Sequence, residues 1–283
     1  MSTHVHSRHD AVSPEDVDRI NALEWYHTVD VAPGVHTPGW FDLRHALPLV
    51  PFPDLRGKRC LDIGTWDGFY AYEMERRGAA EVVALDVPDL SGIDYPPTVR
   101  SQPGFDPFRG GQQERPAGFR LLHEILGSKV QWVAGNIYDL DPAEIGRFDV
   151  VVVGSLLVHL RDPIRALDAV RSVTAGWFVS ADYVHAPLEV LPGNRPLAEL
   201  RGEGVDFQWW LANSQGLRQM LDVAGFSITR ESPRFLLRFG PAMGARGTEG
   251  DLRTRARRAS HKLLAGDPRE GHLHRAFLAK PRF

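Results

Sequence analysis

The sequence predicts an α/β fold: a seven-stranded, mostly parallel sheet with helices on both faces, preceded by an N-terminal cap of one helix and several aromatic residues. Three observations predict it. Short apolar runs of strand length recur from Lys58 onward, with helical segments between most of them. An aromatic, proline-rich stretch precedes the first run. The 283 residues, 43% of them hydrophobic, suffice for one large core. Strand–helix alternation favours parallel neighbours, because each crossover helix must pack back on a face of the sheet.

Residues 1–13 are polar and carry His4, His6 and His9, a pattern expected of a frayed terminus rather than a metal site. Ser13-Pro14-Glu15-Asp16 opens a helix with a capping serine, a proline at the first helical position and acids in the first turn. This helix is expected to run to about Trp25. Residues 26–55 hold five prolines and several aromatics, which suits a cap packed on a core more than a regular element. Lys58 to Gly64 then reads as a buried strand, Phe69 to Arg77 as a helix and Glu81 to Asp86 as a second strand. Residues 88–115, rich in Pro, Gly and Asp, form a long irregular insertion of the kind that serves as a lid or binding loop.

Order resumes with a helix at Ala117 to Leu126 and a strand at Lys129 to Ala134. Phe148 to Gly154 is the strongest apolar run and is read as the central strand. Asp162-Pro163 opens a helix through Val173, and Gly176 to Asp182 is a fifth strand. A helix from Ser214 to Gly225, a strand from Phe226 to Glu231 and a last strand at Arg275 to Lys280 complete the pattern. The organisation expected is a cap with a disordered start over 1–55, a cofactor-binding core over 56–240, and a basic tail with the last strand over 241–283.

The formal charge of −3, from 33 basic and 36 acidic residues, implies no global field for nucleic acid. The balance is uneven, however: residues 246–283 carry ten Lys or Arg against four Asp or Glu. Such a tail reads as a solvated helix or, as the alternative, a phosphate-binding surface. The single cysteine, Cys60, sits in an apolar run and suits a small buried side chain in a reducing compartment. With no run approaching the ~20 apolar residues of a membrane helix and no apolar leader, a cytoplasmic protein without a membrane partner is expected.

The chemistry concentrates at Leu61-Asp62-Ile63-Gly64-Thr65-Trp66-Asp67-Gly68, the turn between the first core strand and its helix. Ligands of such sheets bind beyond the carboxyl ends of the strands. Gly64 and Gly68 permit a tight turn and close approach of a ligand to the backbone. The helix N-terminus that follows can receive a carboxylate. Asp86, which ends the next strand 22 positions after Gly64, can accept both ribose hydroxyl hydrogen bonds of an adenosine cofactor. NAD and S-adenosylmethionine (SAM) both fit that description. Two details favour SAM: Asp62 lies inside the strand where a nicotinamide fingerprint is apolar, and Trp66 stands where G-x-G-x-x-G requires a second glycine. Asp62 is then a candidate for holding the ammonium of a methionine moiety, the alternative being a strand-end acid that caps backbone amides.

Leu61–Gly68 together with Asp86 resembles the first two motifs of class I SAM-dependent methyltransferases, a Rossmann-like family. Gly135-Asn136-Ile137-Tyr138-Asp139-Leu140 resembles the family's motif after the third strand, and Phe148–Pro163 its fourth motif. The resemblance implies SAM as cofactor, with contacts from Asp62, Gly64, Thr65, Trp66, Gly68, Asp86, Val87, Asn136, Ile137, Gly154 and Ser155. Asn136 would be the polar contact to adenine and Ile137 the apolar one. Trp25–Val31, the Leu61–Gly64 strand, the His159 segment and Trp209-Trp210-Leu211-Ala212-Asn213 are similar to the narrower group that alkylates wobble 5-hydroxyuridine in tRNA and its small-molecule relatives. That tRNA enzyme uses a carboxylated SAM, has a tyrosine just before the motif histidine and carries a longer basic N-terminal region. This chain has Val158 and lacks that region, so plain SAM and a different acceptor are expected.

Methyl transfer is an in-line displacement that needs the acceptor aligned and sometimes deprotonated. No tight ligand set for a metal is evident in the sequence. His159 is the candidate catalytic residue, as base or acceptor-orienting group, since histidine takes a proton near neutral pH. The alternative is a histidine bonded to backbone at the start of the next helix. Tyr26, His27, Trp40, Asp182, His185, Trp209 and Trp210 are candidate acceptor residues. A small-molecule acceptor methylated on oxygen, as in specialised metabolism, is the leading expectation. A tRNA substrate and a non-catalytic SAM-binding module are the alternatives.

Overall fold

In the computed structural model the described residues are 12–105, 116–202, 208–243, 264 and 269–283. His4, His6 and His9, residues 106–115 of the insertion, and Arg253, Arg255, Arg257 and Arg258 of the basic tail lie outside them. Helix α1 (Pro14–Asn21) begins as expected, with the Ser13 hydroxyl accepting from the Asp16 amide at 3.0 Å. It stops short of Trp25 because Trp25 folds back beneath it: the buried indole donates to the Ile20 carbonyl at 2.7 Å. The cap is also more regular than its composition suggested. β1 (Asp30–Ala32) and β2 (Val35–His36) form a small hairpin, and β3 (Phe41–Asp42) joins the main sheet.

The core continues with β4 (Arg59–Ile63), α2 (Phe69–Arg76) and β5 (Glu81–Asp86). The insertion contains a short 3-10 turn at Leu90–Gly92 and α3 (Pro97–Arg100), then α4 (Ala117–Leu126) and β6 (Gln131–Ala134). Next come α5 (Pro142–Ile145), β7 (Phe148–Gly154), α6 (Pro163–Val173), capped by the Asp162 side chain, and β8 (Thr174–Tyr183). α7 (Ala186–Glu189) leads to an antiparallel pair that the sequence pattern did not reveal, β9 (Ala198–Leu200) and β10 (Trp210–Ala212). α8 (Ser214–Val223), β11 (Phe226–Glu231), β12 (Phe235–Phe239) and β13 (Gly271–Pro281) complete the chain.

The sheet runs β3-β12-β13-β8-β7-β4-β5-β6, with β11 also on β13. It has nine strands where seven were expected. One extra strand is β3, contributed by the cap and paired with β12 through Arg238 opposite Asp42. The other arises because the stretch 226–239 is broken at Ser232-Pro233, since proline offers no ladder donor. Ser232 bridges the break: its amide donates to the Ala276 carbonyl and its hydroxyl accepts from the Ala276 amide, both at 2.9 Å. β4 to β8 pair in parallel, while β13 and β3 run against the rest.

The uniform apolar run in β7 has a simple cause: both faces of the sheet are covered. Val150 and Val152 pack with Cys60, α2, α4 and the cap, whereas Val151 and Val153 pack with α6 and α8. Cys60 is a buried free thiol whose pKa is pushed up to about 12 by burial. Among the described residues no helix is long and apolar enough to cross a membrane.

Candidate active site

A cavity of about 660 Å³ opens at the carboxyl ends of β4, β5, β6 and β7, a usual size for a small-molecule site. The turn after β4 forms its floor. Gly64 has φ +74°, and a Cβ added there would stand 2.9 Å from the Leu156 side chain, so only glycine suits this backbone. Trp66 also occupies the left-handed region, at φ +51°, although it carries a bulky side chain. Its amide donates to Asp86 at 2.7 Å and its ring rests against Tyr26 at 4.9 Å between centroids. The loop is thereby held from the sheet side and the cap side together.

Asp67 makes the second link. Its buried carboxylate accepts from the Tyr26 and His27 amides at 2.9 Å and pairs closely with His27 Nδ1. The cap's approach depends on Gly39, where an added Cβ would lie 2.1 Å from the His27 carbonyl carbon. Tyr26, His27, Trp40, Gly64, Trp66, Asp86, Val87, Asn136, Ile137, Gly154, Ser155 and His159 all line the cavity. At the β5 end, Asp86 Oδ1 accepts from the Val87 amide at 2.8 Å, fixing the carboxylate in the cavity wall. Asn136 accepts from the Tyr138 amide and donates to the Gly92 carbonyl, tying the β6 turn to the insertion.

Seven sequence candidates lie outside the cavity wall. Asp62 sits beneath the loop, accepting from the Thr65 hydroxyl at 2.7 Å and the Ala71 amide at 3.1 Å. It therefore occupies the start of α2 itself, and burial pushes its pKa up to about 7. Thr65 and Gly68 belong to the same buried brace. Asp182, fully buried and also raised to about 7 by burial, accepts from the Leu157 and Tyr183 amides and so anchors the turn carrying His159. His185 lies behind the cavity-lining Tyr183, with Nδ1 3.3 Å from its hydroxyl and Nε2 3.2 Å from Glu199. Trp209 and Trp210 act through their indole N–H groups, donating to the Asp94 and Arg161 carbonyls at 2.6 and 3.0 Å. Asp94 is a hub: its carboxylate also accepts from the Tyr138 hydroxyl and the Arg161 amide, holding Gly92 to Tyr95 in the cavity wall.

Several wall residues carried no signal in the sequence. Tyr183, His272 and His274 come from β8 and β13, Arg201 and Gln208 from the β9–β10 hairpin, and Met243 from beyond β12. None belongs to a motif with fixed spacing: the antiparallel return of β13 beside β8 delivers His272 and His274, and the pairing of β9 with β10 brings Arg201 and Gln208. Ser155, in the fourth motif, was legible, but its conformation was not. It has φ +53°, and its Oγ lies 3.0 Å from His274 Nε2.

The β5 and β6 ends suit an adenosine. A fixed carboxylate faces where two ribose hydroxyls would sit, and an amide lies beside apolar Ile137 and Leu85 for the base. A Rossmann-like sheet with this cavity at its switch point is the place for a nucleotide cofactor, and the family match makes the protein a SAM-dependent methyltransferase. The chain belongs to the methyltransferase-domain family, which it matches over residues 38–231. It is 31% identical over 124 residues to a tRNA U34 carboxymethyltransferase of Campylobacter hominis, covering 44% of this chain and 35% of that protein. It is 32% identical over 112 residues to a ubiquinone biosynthesis O-methyltransferase of Neisseria meningitidis, covering 39% of this chain and 37% of the relative. The matched stretches thus span little more than a third of those curated relatives. Among solved structures, the N-terminal domain of EvdMO1 with S-adenosylhomocysteine (SAH) bound superposes with a TM-score of 0.53 at 16% identity, covering 98% of this chain and 99% of that one.

Proposed function

We propose that this methyltransferase transfers the methyl group of SAM to an oxygen of a small-molecule acceptor in specialised metabolism. The observation that carries the reading is the narrow, aromatic-walled shape of the cavity beyond the cofactor end. Cap aromatics wall it, Arg201 and Gln208 of the hairpin border it, and Gly92 to Tyr95 of the insertion line it, held there by Asp94. Such a chamber suits a compact ligand more than a folded nucleic acid. When bound, SAM supplies an electrophilic methyl on a sulfonium. Asp86 would hold the ribose, Asn136 and Ile137 the adenine, and Gly64, Trp66, Gly154 and Ser155 the loop side of the cofactor. Asp62 keeps the loop in shape by bracing Thr65 and the start of α2. His159 is placed on the turn anchored by Asp182, where it can orient the acceptor or take its proton. Buried Cys60 suits a reducing cytoplasm.

Replacing His159 by Ala is expected to lower turnover by roughly 10²-fold or more while leaving SAH affinity unchanged. Full activity across pH would remove its role. A second reading, modification of a tRNA wobble uridine, draws on the Campylobacter relative and the basic tail. Reversing the charges of Arg253, Arg255, Arg257 and Arg258 separates the two. The tRNA reading requires a large, salt-sensitive loss of RNA binding, and the small-molecule reading requires none.

A further inference from the structure

β13 returns antiparallel beside β8 and sets His274 directly opposite Tyr183. Two residues apart on one strand, His272 and His274 share a face, and both line the cavity on the side of β7 remote from Asp86. His274 is only 3% exposed, and both its ring nitrogens have partners. Nδ1 lies 3.1 Å from the His272 carbonyl, which can only accept, so Nδ1 carries the proton. That leaves Nε2 as the acceptor of the Ser155 hydroxyl at 3.0 Å. Ser155 itself is held in the left-handed region at the end of β7, its amide tied to the Ala181 carbonyl at 2.8 Å. A residue other than glycine kept there costs on the order of 1 kcal/mol or more, a conformation that clusters at active sites. Among the described residues, the groups facing His274 include Tyr183 on β8, His272 on its own strand, Ser155 after β7 and the Phe235 ring on β12. The adjoining wall is aromatic: the Tyr26 ring contacts both Trp40 and Phe41, and Phe41 reaches His272 at 5.8 Å.

We propose that Ser155 and His274 form the catalytic pair that removes the proton from a phenolic hydroxyl of an aromatic acceptor stacked on the Tyr26–Trp40–Phe41 wall. The proposal rests on the methyltransferase reading above and names its acceptor class and base. The acceptor proton passes to Ser155 Oγ as the serine's own proton moves to His274 Nε2. The phenolate lone pair forms the new O–CH3 bond while the C–S bond breaks and its electron pair stays on sulfur, leaving SAH. The imidazolium keeps its Nδ1–H bond to the His272 carbonyl and later returns its second proton to water. His159, on the neighbouring turn, is left to orient the ring.

The test uses the SAH-saturated protein and 4-nitrophenol, whose phenolate absorbs visible light. Calorimetry with SAH comes first, because no SAH binding sinks the methyltransferase reading itself. With SAH bound, the probe is expected to ionise in the cavity at a pH lower by on the order of one unit than in free solution. H274Q should abolish that shift without changing SAH affinity. Nitrogen-15 NMR of the wild-type protein should show His274 as the Nδ1–H tautomer. Three results overturn the proposal: failure of the phenol to bind the SAH complex, the same ionisation in H274Q as in wild type, or loss of the shift in H159A but not in H274Q.

Discussion

The two ends of the cavity are built on different length scales. The cofactor end is local: Asp86 and Gly154 are the last residues of β5 and β7, and Gly64 and Asn136 stand one and two positions beyond β4 and β6, so each keeps a fixed relation to its own element. The other end, where we propose the acceptor binds, is assembled from segments far apart in the chain, with Tyr26, His27, Trp40 and Phe41 from the cap and Tyr183, His272 and His274 from β8 and β13. A local site tolerates little change in its turn. A distributed site can exchange its acceptor by altering distant segments while the cofactor end stays as it is, and its integrity depends on the links between the two.

The largest effect is expected where those ends are joined. Asp67→Ala removes the acceptor of two backbone amides and the partner of His27, leaving buried donors without bonds. A loss of roughly 3 kcal/mol or more is expected. Denaturant melting should show it, and limited proteolysis should find the cap opened. If stability and cap protection persist, the cap and loop are not one unit. Asp86→Ala acts at the cofactor end: SAH affinity should fall by roughly 10- to 100-fold, as for hydrogen bonds to a charged group, and stability should fall by less than in Asp67→Ala, because the Trp66 and Val87 amides lose their acceptor while the cap stays tied. An unchanged affinity by calorimetry would remove Asp86 from the ribose.

The smallest effect concerns how the His159 turn is held. Burial raises the Asp182 pKa to about 7, so the folded state keeps a proton there that the unfolded chain has released above the ordinary carboxylate range. The unfolded state binds fewer protons in that window, so stability falls as pH rises from about 4 towards 7, at no more than about 1.4 kcal/mol per pH unit for one group. Asp62, raised for the same reason, adds a like slope. Asp182→Asn should flatten its share of the dependence of melting temperature on pH while lowering stability overall, because one anchored amide then faces an N–H. An unaltered slope would mean that Asp182 is ionised throughout.

Much of the fold was legible because it rests on short-range rules. The bounds of β5, β7, α4 and β11 follow from apolar runs ended by glycine, acid or a capping residue, and a doubly covered strand must be apolar throughout. The break at Ser232-Pro233 and the edge strand β3 were not legible. The first looks like a loop until Ser232 is seen to satisfy Ala276, and a two-residue strand has no periodicity to detect. The tryptophan pair at 209–210 stands apart: it lies outside the cavity wall, and its indole N–H groups tie Asp94 and Arg161 by their carbonyls.

By itself the sequence determined the α/β class, the position of the nucleotide turn and the acid at Asp86, since these depend on residues adjacent in the chain and on backbone conformations few side chains allow. The tertiary structure decided that Asp62 braces the loop from beneath, that Asp67 ties the cap to it, and that His274 meets Ser155. Each is a hydrogen bond to a partner whose nearness depends on how strands and turns pack. Local pattern cannot encode it, because the same side chain is satisfied equally well by any donor or acceptor the fold brings within 3 Å.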